Sequence, residues 1–215
     1  LVGSEMCIRD RNHIDLDYCN EHNIDVWSLK KDYELINDLP STSELAFGLM
    51  MSLMRNIPKS FHSVRDGNWD YEPYVGHQIK GKTIGVIGYG RLGKIMCRLF
   101  DGWEVDILVT DPYARITDEN SVSLDELLDK SDIVFLHTHV TEETKDMVDD
   151  EFIQKMKDGS FLINTARGEL VDEDAIIKSI ESGHLKGYGT DVIRDEFGDI
   201  ENSKLVEFSI NPNNN

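Results

Sequence analysis

The chain has 215 residues, 40% hydrophobic and 29% charged, with a formal net charge of −19 from 22 basic and 41 acidic side chains. That length buries a real core in one domain or two small ones, and the acidic balance excludes nucleic acid and anionic membrane as partners, because phosphate contacts need a basic face. No run approaches a membrane span and no leading stretch reads as a signal peptide, so a cytoplasmic location is expected.

Cys7, Cys19 and Cys97 are scattered and odd in number, without a CxxC pair. Free thiols in a reducing compartment are therefore expected, and no metal site is read. In chain order, the opening LVGSEMCIRDR (1–11) has neither helical nor strand periodicity and reads as junction sequence. Residues 12–40 hold one helix-like piece and one short strand, too few for a core, and read as the remnant of a second domain. STSELAFGLMMSLMRNI (41–57) opens with Ser41 and Glu44 in capping-box spacing and is then apolar on nearly every side. Leu45, Phe47, Leu49, Met50, Leu53 and Met54 cannot all face one core, so this helix is expected at an interface, and a homodimer is expected of a full-length protein.

From residue 83 strands and helices alternate. TIGVIG (83–88), EVDILVT (104–110), DIVFLH (132–137), SFLIN (160–164) and KGYGTDV (186–192) read as strands. Between them, helices are expected over 91–103, over 123–130 with Ser123 and Glu126 as a capping box, over 150–157 before Gly159, and over 172–182 before Gly183. Short strands alternating with helices of this length predict an α/β fold: a doubly wound parallel sheet with helices on both faces. The closing SINPNNN has no following element, and the chain reads as cut at both ends.

GVIGYGRLG places Gly88, Gly90 and Gly93 as G-x-G-x-x-G directly after a strand and at the start of a helix. The first glycine permits the tight turn, the second lets backbone approach a pyrophosphate, and the third allows close helix–strand packing. Asp111 ends the next strand, about 20 residues on, where a carboxylate accepts ribose hydroxyls and repels a 2′-phosphate. Tyr113 and Ala114 follow it rather than arginines, which points to NAD and not NADP. In FLINTARGELVDEDA (161–175), Arg167 stands just past a buried strand. It is either a solvated side chain in a turn or a guanidinium aimed into a ligand crevice at the strand's carboxyl end.

Taken together, GKTIGVIGYGRLGK, SDIVFLHTHVTEET, MKDGSFLINTARGELVDEDA and GYGTDVIRDE resemble, in order, the signatures of the D-isomer-specific 2-hydroxyacid dehydrogenases over about residues 12–208. The resemblance implies a nucleotide-binding domain set into a substrate domain, hydride transfer between NAD and a small D-2-hydroxy acid or 2-keto acid, and an active site in the cleft between the domains. It implies that residues 41–209 are the NAD-binding domain, including the long helix, and 210–215 a truncated tail. By match to the family's motifs, Arg167 would bind the substrate carboxylate, Asp191 would hold the nicotinamide carboxamide, and Glu196 would pair with a catalytic histidine. Cofactor contacts would fall on Arg91 and Leu92 at the pyrophosphate, on Asp111, Thr138, His139, Thr144, Thr165 and Ala166, and on Thr42.

The chain departs from that pattern in carrying His139 and Phe197 where the family usually has proline. None of its histidines (His13, His22, His62, His77, His137, His139, His184) lies beyond Glu196, where the family's catalytic histidine falls, so the 215 residues alone are expected to be inactive. His137 and His139 occupy a turn matched to a cofactor contact and are not expected to substitute. Two rivals stand beside this reading: another enzyme class that keeps NAD as an internal cofactor, and a relative that uses bound nucleotide to regulate protein partners.

Overall fold

The computed structural model describes residues 14–26, 39–114, 116, 120–196, 198, 200, 203–211 and 214. The expected junction at 1–11 and much of the expected second-domain remnant lie outside the described residues. The chain divides into two units, Leu1–Pro40 and Ser41–Asn215. In the first, helix α1 (Leu16–Glu21) is capped by Asp15, whose carboxylate accepts from the Tyr18 N–H at 2.9 Å. Residues 24–26 form no strand, and the rest of the expected strand lies outside the described residues.

The second unit opens with α2 (Ser41–Met54) and α3 (Ile57–Arg65). Strands and helices then alternate: β1 (Thr83–Ile87), α4 (Arg91–Leu99), β2 (Asp106–Thr110), α5 (Leu124–Lys130), β3 (Ile133–Leu136), α6 (Asp150–Lys155), β4 (Ser160–Asn164), α7 (Glu173–Ser182), β5 (Leu185–Thr190) and α8 (Lys204–Ile210). Among the described residues the strands form one sheet in the order β2-β1-β3-β4-β5, parallel throughout. The chain steps outward from β1 to β2, then crosses back to β3, so the order reverses between β1 and β3. Ligands bind at that reversal, outside the carboxyl ends of the strands.

Each face of the sheet carries its own apolar layer. Ala46, Met50 and Met54 of α2 pack with Met96 and Phe100 over Ile84, Val86, Ile133, Phe135, Phe161 and Ile163. On the other face Leu127 and Leu128 of α5, Phe152 and Ile153 of α6, and Ala175 and Ile176 of α7 cover Val134, Leu136 and Leu162. Strands β3 and β4 are buried at every position, the pattern of a central parallel strand covered on both faces. Each such side chain contributes roughly 1.5–3 kcal/mol by leaving water.

Local chemistry sets the helix ends. Ser123 accepts from the Glu126 N–H at 3.2 Å at the start of α5. Asp149 caps α6, Asp172 caps α7, and α7 stops at Gly183 in the left-handed conformation (φ +81°), which glycine adopts without a Cβ clash. Four readings of the sequence are corrected. The helix expected over 41–57 ends at Met54, because Asn56 turns left-handed (φ +52°) and Pro58 starts a new helix, α3. Helix α4 stops at Leu99, four residues short of 103, and the chain turns through Gly102 at φ +81°. Strand β5 ends at Thr190, whose hydroxyl donates to the Val192 carbonyl at 2.6 Å and bends the backbone away. Helix α8, capped by Ser203, has no counterpart in the sequence reading.

The apolar surface of α2 is also covered differently from expectation. Phe47, Leu49 and Leu53 pack against the same layer as Met50 and Met54, and of the six only Leu45 is exposed. Gly189 in β5 makes the close approach possible, since a Cβ there would stand 3.1 Å from the Leu53 side chain. Exposed apolar side chains include Phe61, Trp69, Tyr71 and Val75 on α3 and the segment after it. No helix among the described residues is long and apolar enough to cross a membrane.

Candidate cofactor and substrate site

The β1–α4 turn sits at the reversal of strand order, and its three glycines do three different jobs. Gly88 has φ +96°, and a Cβ on it would stand 2.5 Å from the His137 carbonyl oxygen, so the turn lies directly on the exit of β3. A Cβ on Gly93 would stand 2.0 Å from the Gly88 carbonyl oxygen, which clamps helix to strand. A Cβ on Gly90 would meet nothing within 4 Å, and Gly90 caps α4 with no side-chain hydrogen bond. Bare backbone with open space at Gly90 thus leads into the N-terminus of α4, a cradle whose arrangement fits a pyrophosphate. Arg91 and Leu92 form the first turn of that helix, both half-buried. The Ser43 hydroxyl donates to the Leu92 carbonyl at 3.1 Å, which places the first turn of α2, and with it the neighbouring half-buried Thr42, against the cradle.

Asp111 follows β2 and folds back onto the cradle. Its Oδ2 accepts from the Tyr89 N–H at 2.8 Å, and its Oδ1 accepts from Tyr113 N–H at 2.8 Å and Ala114 N–H at 3.0 Å. Partial burial works against its charge, but these donors, with Lys94 nearby, outweigh burial and hold the carboxyl below its ordinary range. With two acceptor directions per oxygen, Oδ2 keeps one for a ribose hydroxyl.

Thr138 and His139 follow β3. The Thr144 hydroxyl donates to the His139 carbonyl at 2.6 Å and accepts from the Thr141 N–H at 2.8 Å, so Thr144 shapes the loop that carries Thr138 and His139. Side chains alternate along a strand, so His137 continues the Phe135 face, and the two rings lie parallel with centroids 6.2 Å apart. Continuing the β3–β4 register by one residue sets Thr165 beside His137. Both His137 ring nitrogens and the Thr165 hydroxyl are buried without a hydrogen-bond partner among the described residues. A buried polar group in that state is costly unless something else satisfies it. Burial also pushes the His137 imidazole down to about 4, so it stays neutral near pH 7 and is a poor proton donor.

The exits of β4 and β5 bring the charged groups together. Asn164 ends β4, accepts from the Ala166 N–H at 3.0 Å and donates to the Arg167 carbonyl at 2.9 Å, which shapes the turn holding Thr165, Ala166 and Arg167. Arg167 is exposed there, with its guanidinium donating to the Ala166 carbonyl at 2.6 Å. Asp191 follows β5; burial raises its carboxyl above the ordinary range, and the attraction of Arg167 opposes that rise. Glu196 is half-buried on the same loop. Gly168 permits the approach, since a Cβ on it would stand 2.1 Å from the Ile193 backbone.

The residues singled out from the sequence thus lie along the carboxyl ends of β1 to β5, with Thr42 added from α2. Sequence reasoning missed Asn164, Ser43, Thr190 and Arg194, which act through turns and loops and carry no motif of their own. A cavity of about 480 Å³ lies elsewhere, between α3, α8 and the β5 edge, lined by Leu53, Lys59, His62, Tyr188 and Leu205 among others. It contains neither the cradle nor Arg167, so the chemistry does not centre on it.

Comparison with known proteins follows the same lines. The profile of the "D-isomer specific 2-hydroxyacid dehydrogenase, NAD binding domain" matches residues 47–212. The chain is 35% identical to a D-3-phosphoglycerate dehydrogenase of Bacillus subtilis over 86% of this chain and 35% of that protein. It is 36% identical to a hydroxypyruvate reductase of Thermotoga maritima over 91% of this chain and 64% of that protein. The crystal structure of a D-lactate dehydrogenase from Aquifex aeolicus, complexed with NAD and lactic acid, superposes with a TM-score of 0.73. It is 29% identical and covers 93% of this chain and 62% of that one. The chain therefore spans a third to two thirds of the length of these relatives. With the glycine turn at the strand reversal, Asp111 hydrogen-bonded against it and the profile in agreement, the chain belongs to the D-isomer specific 2-hydroxyacid dehydrogenase family and contains its NAD-binding domain.

Proposed function

We propose that this chain is the cofactor-binding part of an enzyme that moves a hydride between nicotinamide and the carbonyl carbon of a small 2-keto acid, or the reverse from a D-2-hydroxy acid. The observation that supports the reading is the placement of Arg167 and Asp191 just past the ends of the adjacent strands β4 and β5, on the same rim of the sheet as the phosphate cradle. NAD, when bound, supplies the hydride acceptor, and in its reduced form the donor. The backbone at Gly90 and the N-terminus of α4 hold the pyrophosphate, and Asp111 accepts from the ribose. Thr138, His139, Thr144, Thr165, Ala166 and Thr42 would contact the bound cofactor, and Asp191 would accept from the carboxamide N–H.

Arg167 supplies two parallel N–H donors to a substrate carboxylate, a planar fit that a lysine does not reproduce. Its charge also lies next to the carbonyl oxygen that becomes an alkoxide, where it stabilises the developing negative charge. Glu196 raises the pKa of an imidazole and fixes its tautomer, and that imidazole protonates the alkoxide. His137 is unsuited to be that acid because burial keeps it neutral. The proposal takes the partner of Glu196 to be a histidine supplied by the rest of a longer protein, and the chain alone is expected to bind NAD weakly and turn over negligibly. A protein that used NAD only for regulation would have no need of a carboxylate grip, and the Arg167 turn favours turnover. A homodimer of the full-length protein stays part of the proposal, and the exposed Phe61, Trp69 and Tyr71 of α3 and the segment after it are available to such an interface.

The test is NADH oxidation with a panel of small 2-keto acids, using the 215 residues alone and the protein extended to the length of its relatives. Turnover by the extended protein only is expected. Failure of the extended protein on every 2-keto acid would sink the proposal, and light scattering on the same sample reads the dimer.

A further inference from the structure

The loop that carries Asp191 and Glu196 is held by more than its own turn. Past β5 it contains Asp195 in the left-handed region (φ +54°), a turn conformation that aspartate accepts more readily than most residues. Arg194 supplies three ties. Its backbone N–H donates to Glu173 Oε1 at the start of α7 at 2.9 Å, and its Nη2 donates to the Val171 carbonyl at 2.8 Å. The same Nη2 pairs with Asp146 Oδ1, on the loop that leaves β3. Asp146 is itself left-handed (φ +54°), and its N–H donates to the Glu169 carbonyl at 2.9 Å. One guanidinium thus connects the β3 exit loop, the turn after Arg167 and the loop of Asp191, at the point where Gly168 brings the last two into contact.

We infer that Arg194 is a positioning residue: it fixes the Asp191 loop in the place from which Asp191 holds the nicotinamide end of the cofactor. The inference rests on the proposed role of Asp191 and adds the element that sets its geometry. Both side-chain ties leave from one nitrogen, Nη2, so truncating the side chain removes the Asp146 and Val171 contacts together. The adenosine end, held by Asp111 and the cradle, lies at the other side of the strand reversal and has no tie to Arg194.

The experiment compares two ligands of the 215-residue chain by fluorescence or calorimetry: NADH, and ADP-ribose, which lacks the nicotinamide. Asp191→Asn is the reference and is expected to lower NADH affinity about tenfold while ADP-ribose affinity holds. Arg194→Ala and Asp146→Ala are expected to reproduce most of that loss, again for NADH alone. If NADH and ADP-ribose weaken in parallel in both, Arg194 only stabilises the fold and the inference is overturned. It is equally overturned if Asp191→Asn acts as expected and the Arg194 and Asp146 variants do not. An Asp191→Asn variant that binds both ligands normally contradicts instead the role proposed for Asp191.

Discussion

A Cβ on Gly93 would stand 2.0 Å from the carbonyl oxygen of Gly88, whereas one on Gly90, between them, would touch nothing within 4 Å. The two outer glycines of the cradle are required by the fold, and the middle one is not required by any contact within the described residues. Gly93→Ala is expected to cost about 3 kcal/mol, since backbone must move to admit the methyl. Gly90→Ala, with φ −74° already open to alanine, is expected to leave stability within about 0.5 kcal/mol and to weaken NAD binding. Thermal unfolding and cofactor titration of both variants check this. A Gly90→Ala protein that binds NAD as tightly as the parent would remove the cradle from its assigned role.

His137 makes a prediction about pH. Its imidazole has an ordinary value of 6.5 and a folded-state value of about 4, because burial disfavours the charged ring. Between these values the unfolded chain binds more protons than the folded one, so stability is full above pH 6.5 and falls as pH drops toward 4. The slope from this group reaches at most roughly 1.4 kcal/mol per pH unit. His137→Leu is expected to lose that slope, as read by denaturant unfolding at several pH values. A parent and variant with parallel stability curves across the window would contradict the burial assigned to this ring.

Asp111 is predicted to select the nucleotide. Asp111→Ala should weaken NAD far more than NADP, and Asp111→Asn, which keeps an acceptor for the Tyr113 and Ala114 N–H groups, separates charge from loop structure. Titration of each variant with both cofactors reads the effect. Equal or tighter binding of NADP by the parent chain would defeat the assignment.

The strands and their order of appearance were legible because a parallel sheet covered on both faces writes itself as continuous apolar runs such as IVFL and SFLIN. The cradle was legible for a related reason, since only glycine satisfies both the turn at Gly88 and the contact at Gly93. Other features depend on tertiary partners and leave little local trace. The helix over 41–57 broke early because Asn56 tolerates a left-handed conformation and Pro58 favours a helix start, signals that an apolar run masks. Its apolar faces looked too numerous for one core because Gly189, far along the chain, is what lets Leu49 and Leu53 reach β5. Arg194 was passed over for the same reason. Its partners Asp146 and Val171 are distant in sequence, and nothing in GYGTDVIRDE marks it.

The most direct test of the proposed chemistry is the catalytic efficiency of the extended protein carrying Arg167→Ala or Arg167→Lys, measured as NADH oxidation with a small 2-keto acid. Arg167→Ala should lower kcat/KM by at least about 100-fold, as expected when a charged carboxylate loses a bidentate partner near the reacting carbonyl. Arg167→Lys should recover only part of it, while NADH affinity stays within about threefold of the parent in both. Undiminished turnover of the 2-keto acid by Arg167→Ala would contradict the account, because the guanidinium at the end of β4 would then grip no substrate.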